Sequence, residues 1–174
     1  KEIKLQEHRI GLTPESVKVL VERNHEVLVE NNGGLEAGFT NEDYLQAGAK
    51  LISAPEEIFK TAELIVKVKE PQLNEVKMIR EGQIIYTYLH LAAAKELTLG
   101  LMNSKSICIA YETVTDDNGR LPLLAPMSAV AGRMSIQAGA HCLEKNQKGR
   151  GLLIGGAPGV DSANVVILGG GVVG

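Results

Sequence analysis

What the sequence lacks narrows it first. No apolar run approaches the roughly 18 residues that a membrane span needs, and the opening Lys1-Glu2-Ile3-Lys4 does not have the layout of a secretory signal. No Lys/Arg cluster is long enough to grip a phosphate backbone, and the formal net charge of -3 carries no basic excess. Neither nucleic acid nor a membrane is therefore expected as a partner, and a cytoplasmic location is the simplest expectation. Only two cysteines occur, Cys108 in a strand-like apolar run and Cys142 in a helical one, with no CxxC and no zinc-ligand spacing. Both are expected to be reduced, buried core residues, and no metal site is expected. Internal repeats and low-complexity segments are absent. The first residue is not methionine, so a cut or processed end is expected there.

What is present is enough for a packed core. Of 174 residues 44% are hydrophobic, while the charged share is ordinary for a globular protein, so disorder is not expected. Short β-rich runs alternate with helical ones. Strands are expected at Glu26 to Glu30, Leu64 to Lys69, Gln83 to Leu89, Ile107 to Glu112 and Asn164 to Leu168, each rich in β-branched or aromatic residues and bounded by polar, Gly or Pro signals. Thr13-Pro14 opens a helix with an N-cap and a proline at the first helical position; Val17, Leu20 and Val21 follow at helical spacing, and Asn24 ends it. Thr40 to Ala47, Pro55 to Phe59, Glu75 to Arg80 and Lys95 to Met102 read the same way. Such alternation predicts an α/β fold with a mostly parallel sheet.

After Glu112 the rhythm changes. Thr115 to Arg120 is turn-rich, and a long helix is expected from about Met127 to Lys145, crowded with small residues such as Ala129, Ala131, Gly132, Ala138, Gly139 and Ala140. Such a surface lets another element or a ligand approach closely, and a domain boundary is expected near residue 122.

Three polar stretches are not explained by core patterning. In the first, Glu7 to Pro14, Arg9 either is a solvated surface arginine or presents its planar fork to a carboxylate. In the second, Val66 to Pro71, strict alternation would put Val66 and Val68 on one face and Lys67 and Lys69 on the other, with Pro71 ending the strand. Lys69 then stands at a strand's carboxyl end, where open α/β sheets bind ligands, or both lysines are simply solvated. In the third, Thr87 to Ala93, His90 follows an apolar strand, and an imidazole there is structural or exchanges a proton near neutral pH. His8, His25 and His141 look peripheral.

The chain's last residues read Val165-Val166-Ile167-Leu168-Gly169-Gly170-Gly171-Val172-Val173-Gly174, an apolar run followed by GxGxxG. Alone the motif is weak, and it gains meaning after a strand and at a helix start. There the glycines permit the tight turn, the approach of backbone to a pyrophosphate and close helix–sheet packing. A plain strand-to-helix turn is the alternative.

Arg9, "VKVKEP", "TYLHLAA", "AYETV", "LPLLAPMSAVAGRM", "GRGLLIGGAPGV" and "VVILGGGVVG", in this order, closely resemble the alanine dehydrogenase family along essentially the whole chain. The resemblance implies an α/β protein with a Rossmann-like, parallel-sheet substrate domain over residues 1–122, followed by the truncated start of an NAD-binding Rossmann domain over 123–174. It implies NAD-dependent interconversion of L-alanine with pyruvate and ammonium. By the same resemblance Arg9 corresponds to the substrate-carboxylate arginine, Lys69 to a substrate-binding and catalytic lysine, and His90 to the catalytic acid/base. Ser128, Gly169, Gly171, Val172, Val173 and Gly174 correspond to cofactor contacts. The family often has glutamate after that serine, where this chain has Ala129, and a further catalytic aspartate is expected beyond Gly174. A homo-oligomer, hexameric in the family, is implied too. The transhydrogenase α subunit shares an "RIGLTPE"-like opening but is not expected to carry both the lysine and the histidine. A transhydrogenase-like NAD(H)-binding protein and a catalytically inert substrate-binding fragment are the two alternatives.

Overall fold

The computed structural model describes residues 1–174, which divide into two compact units, Lys1–Val114 and Thr115–Gly174. The first unit has the expected α/β alternation. Its helices are α1 (Pro14–Glu22), α2 (Asn41–Gln46), α3 (Pro55–Thr61), α4 (Leu73–Val76) and α5 (Lys95–Ser104). Its strands are β1 (Leu28–Glu30), β2 (Lys50–Ile52), β3 (Leu64–Val66), β4 (Ile84–Thr87) and β5 (Ile107–Ala110). Every strand pairing is parallel: β1 with β2, and β3, β4 and β5 in that order.

Local chemistry accounts for the ends of the elements. Thr13 caps α1 by accepting from the Ser16 N–H, and Pro14 stands where a missing N–H costs nothing. Past the C-cap, Asn24 takes the left-handed conformation at φ 66°, as a helix terminator should. α2 carries a full capping box, Thr40 and Asp43 serving each other's main chain. Strand β2 has no counterpart among the expected strands, because its three residues, Lys50-Leu51-Ile52, carry too little alternation to register as a strand. α4 is a single turn at Leu73–Val76 rather than a helix from Glu75 to Arg80, set by a capping box between Gln72 and Glu75.

Two cores hold the unit. One gathers Phe59, Ile65, Ile79, Ile85, Leu89, Leu97 and Leu101 around β3 and β4. The other gathers Val17, Val27, Val29, Tyr44, Ala47 and Ala49 around β1 and β2. Ile85 is fully buried at the centre of the three-stranded sheet, as a strand covered on both faces requires.

The second unit is built on α6 (Ala125–Leu143), two residues offset from the expected Met127 to Lys145. Two expectations fail here. Residues 164–168 do not form a strand, and Val166 and Leu168 are exposed. A parallel-sheet strand exists only through neighbours that pair with it and layers that cover it, and the unit offers no other strand. Cys142 is exposed on α6 rather than buried, and Cys108 is half-buried on β5. The small residues of α6 do permit close approach: a Cβ on Gly132 would collide with the Val173 carbonyl oxygen.

Candidate active site

The parallel strands β3, β4 and β5 deliver one chemically capable side chain each just past their carboxyl ends: Lys69, His90 and Glu112. The exits are fastened to one another. Lys67 donates its N–H to the Tyr86 carbonyl at 3.1 Å, Tyr88 donates to Val68 at 3.2 Å, and the buried Thr87 hydroxyl donates to the Lys69 carbonyl at 2.8 Å. Lys69 and His90 therefore project from neighbouring, cross-linked backbones. This is the edge at which open α/β sheets present ligand-binding groups.

Arg9 reaches the same edge by another route, because the segment ahead of α1 is stitched to the chain leaving β3. Glu2 accepts from the Val68 N–H at 2.6 Å, and Lys4 pairs with Glu70. Gly11 lies so close that a Cβ there would stand 2.9 Å from the Val66 carbonyl oxygen, so only glycine lets the two backbones meet. Tyr44 adds a hydroxyl bond to the Leu12 carbonyl at 2.8 Å.

Glu7, which sequence reasoning did not single out, orients the arginine. Its carboxylate takes the Arg9 Nε–H at 2.8 Å, the Nη2–H at 2.7 Å and the main-chain N–H at 2.9 Å, a side-on fork that fixes the guanidinium plane. Those bonds to Arg9, opposed by burial and aided by the charges of Arg9 and Lys69, hold the Glu7 carboxyl down at about 2. Two cations thus act on one ionised carboxylate. The sequence signal was available as a carboxylate two residues before an arginine.

This pair predicts an acid-limb effect. A carboxylate whose folded value is lowered from 4.5 to about 2 adds stability that is complete above pH about 4.5 and is lost as the pH falls toward about 2. Thermal unfolding of Glu7→Gln across that window is expected to show a shallower loss of stability than the parent. Identical slopes would show that the fork contributes nothing there.

His90 is exposed and takes the left-handed conformation at φ 48° and ψ 39°, rare for a residue with a Cβ. Its ring stacks on Tyr88 with centroids 6.3 Å apart and planes 15° from parallel. Tyr88 in turn meets Tyr111 edge-on at 4.8 Å, and Tyr86 meets the same Tyr111 at 4.3 Å. Burial raises the Tyr88 hydroxyl above its ordinary value, opposed by the charge of Arg9, which places Arg9 and Tyr88 in one electrostatic neighbourhood. Glu112 accepts the main-chain N–H groups of Leu89 at 3.0 Å and of His90 at 2.8 Å. Burial pushes its carboxyl up, but N–H donation from His90, Glu112 itself and Leu89, with the His90 charge, outweighs it and leaves the group below its ordinary value.

Alternation along "VKVK" does not persist. β3 ends at Val66, the backbone bends, and Lys67 turns inward, its side chain 8% exposed, instead of sharing a solvated face with Lys69. Its ammonium lies 3.1 Å from Glu2 and 2.9 Å from Glu75. His8 and His141 pair with Glu36 and Glu144 at the surface and His25 is exposed, so all three are peripheral. A cleft of about 760 Å³ opens between the outer edges of β1 and β3. None of Arg9, Lys69 and His90 lines it.

In the second unit Ser128 lies in the first turn of α6, its N–H bonded to the Leu124 carbonyl at 3.1 Å. Gly169 has φ 98°, the turn conformation that favours glycine, and Cβ atoms at Gly169, Gly170 and Gly171 would meet only open space. No helix begins at Val172, Val173 or Gly174. Among the residues described, no cluster of His, Cys, Asp and Glu could hold a metal ion, and no helix is long and apolar enough to cross a membrane.

Comparison with known proteins gives a consistent family. The family model for the alanine dehydrogenase/PNT N-terminal domain matches residues 1–131, and that for the alanine dehydrogenase/PNT C-terminal domain matches residues 135–174. An alanine dehydrogenase of Halomonas elongata is 55% identical over 174 residues, covering 100% of this chain and 47% of the relative. That of Bacillus subtilis is 51% identical, with 100% and 46% covered. The chain thus spans about half the length of the curated relatives it matches. A solved L-alanine dehydrogenase superposes with a TM-score of 0.88 at 53% identity over 99% of this chain and 48% of its own. A solved transhydrogenase from Sinorhizobium meliloti reaches 0.72 at 24% identity over 83% of this chain and 43% of its own, a likeness of fold alone. With three-quarters of its residues under the N-terminal family model and its parallel α/β fold shared with a solved member, the chain belongs to the alanine dehydrogenase/PNT family.

Proposed function

We propose that this chain supplies the substrate side, residues 1–122, and the opening of the nucleotide side, residues 123–174, of an NAD-dependent alanine dehydrogenase. The observation that carries the reading is the gathering of Arg9, Lys69 and His90 at one sheet edge through shared neighbours: Glu7 couples to Arg9 and Lys69, and Tyr88 to Arg9 and His90. The names of the relatives support it. NAD fits the open glycine turn at 169–171 in part, since the helix start that would complete a phosphate cradle is not formed by residues 172–174. Gly169, Gly171, Val172, Val173 and Gly174, with Ser128, would hold the cofactor, which when bound supplies the hydride acceptor.

The remaining chemistry falls to side chains of the first unit. Arg9 binds the substrate carboxylate in an orientation preset by Glu7. Lys69 stabilises negative charge developing on the substrate carbonyl oxygen. Loss of hydride from the α-carbon leaves a protonated imine. A ring nitrogen of His90 takes one proton from water as the water oxygen bonds to the imine carbon, and returns it to the amine nitrogen. The remaining hydroxyl proton passes by way of His90 to the departing ammonia as the C–N bond breaks and the carbonyl forms. Ammonium and pyruvate result, and the reverse sequence aminates pyruvate. The working enzyme is read as a cytoplasmic homo-oligomer, hexameric as in the family.

The direct test is oxidation of NADH by the enzyme in the presence of pyruvate and ammonium. Turnover that requires both supports the reading; NADH binding with no turnover favours the transhydrogenase-like alternative. A Lys69→Ala variant is expected to lose about 10- to 100-fold in kcat/KM for pyruvate, the size of one hydrogen bond to a charged group of about 1.5–3 kcal/mol. Pyruvate use left intact would make Lys69 a surface residue.

A further inference from the structure

We propose that Glu112 is a positioning residue that acts through His90, its ionised carboxylate clamping the Leu89–His90 main chain so that the imidazole is presented at the strand exit. The proposal rests on the dehydrogenase reading and deepens it. Outside helix ends such as Asn24, a residue with a Cβ in the left-handed region carries a cost that its surroundings must offset, and His90 stands there at φ 48° and ψ 39° at a strand exit. The following 3-10 turn contributes only a long bond, the Ala93 N–H reaching the His90 carbonyl at 3.4 Å, and no side-chain cap. The carboxylate contributes more. Glu112 Oε1 receives the His90 N–H at 2.8 Å and the Leu89 N–H at 3.0 Å, while Oε2 receives the Leu89 N–H at 3.2 Å.

Two consecutive N–H groups pointed at one carboxylate form a small anion-binding concavity, and here the anion is the protein's own. The sequence separation is 22 residues for the His90 bond, so the clamp ties the exit of β4 to the exit of β5 rather than closing a local turn. The preceding residue, Tyr111, meets Tyr88 edge-on, and Tyr88 stacks on the His90 ring. One dipeptide after β5 therefore sets both the backbone and, through Tyr88, the ring plane of His90. Each of the two strand exits is well placed for this because β4 and β5 are paired in register from Ile84–Ile107 to Thr87–Ala110.

Glutamine at this position keeps the length but loses the charge, and only one of its terminal atoms can accept a hydrogen bond. In the NADH- and pyruvate-dependent assay Glu112→Gln is expected to lower kcat at least tenfold while the KM for pyruvate, set by Arg9 and Lys69, changes less than about threefold. In a His90→Ala background the same substitution is expected to cost no further turnover, because the group through which Glu112 acts is already gone. A Glu112→Gln loss that persists in full without His90, or a kcat left unchanged, would overturn the proposal. Amide exchange supplies a reading that needs neither activity nor a folded variant: the Leu89 and His90 amides of the parent protein are expected to be protected, and unprotected exchange would also overturn it. If the parent enzyme shows no turnover at all, the dehydrogenase reading falls, whereas protected amides would still show the clamp.

Discussion

Replacing His90 with alanine is expected to lower turnover of NADH with pyruvate and ammonium by about two to four orders of magnitude, the span that a positioned general acid–base contributes. NADH affinity should be kept, because His90 belongs to the first unit and not to the glycine-rich segment at 169–174. The loss should fall on kcat and kcat/KM together, since proton transfer is an interaction of the transition state and not of the ground-state complex. The setting fits such a role. The imidazole is exposed, stacked on Tyr88 and carried on a main chain fixed by Glu112. Unchanged turnover in His90→Ala would remove it from the mechanism, and fully retained stability would then mark the left-handed backbone as incidental.

Much of the first unit was legible because its signals are local. Thr13-Pro14, the Val17/Leu20/Val21 spacing and Asn24 each specify one event of α1, and each event occurs. Four expected strands form, all of them shorter than their apolar runs, because a run extends as far as its residues are hydrophobic whereas a ladder extends only as far as its neighbour pairs. The expected strand at 164–168 has the strongest apolar pattern of all and forms none, since pattern supplies a reason to be buried but not a partner. At the candidate site, Arg9, Lys69 and His90 stand out in the sequence as distinctive residue types next to a strand or helix signal, and the family resemblance supplied the roles proposed for them. Glu7 and Glu112 could not, because their importance lies in accepting main-chain and guanidinium N–H groups. Glu112's partners lie 22 and 23 residues away, and no periodicity records such a bond.

Lys67 shows most sharply where alternation misleads, and it carries the largest expected effect on stability. Its ammonium sits between the carboxylates of Glu2 and Glu75, with the three side chains 8%, 4% and 6% exposed. Each carboxylate also reaches the main chain: Glu2 takes the Val68 N–H at 2.6 Å and Glu75 takes the Gln72 N–H at 2.8 Å. The triad thus binds the N-terminal segment, the exit of β3 and the single turn of α4 to one buried point. Removing the cation would leave two carboxylates facing each other out of water, so Lys67→Met is expected to destabilise the protein by about 3–5 kcal/mol in denaturant unfolding. The cost should come from the stranded charges rather than from any large net gain in the native triad, because desolvating three ions consumes most of what their attraction returns. Adding Glu2→Gln and Glu75→Gln to Lys67→Met should therefore recover a substantial part of the loss. Catalysis would separate the two lysines as well: on the proposed function the triple variant should keep its KM for pyruvate where Lys69→Ala does not, since the Lys67 side chain is buried between Glu2 and Glu75 whereas the charge of Lys69 acts on Glu7 beside Arg9. A Lys67→Met change that cost less than about 1 kcal/mol would show that the three groups are not held together away from water.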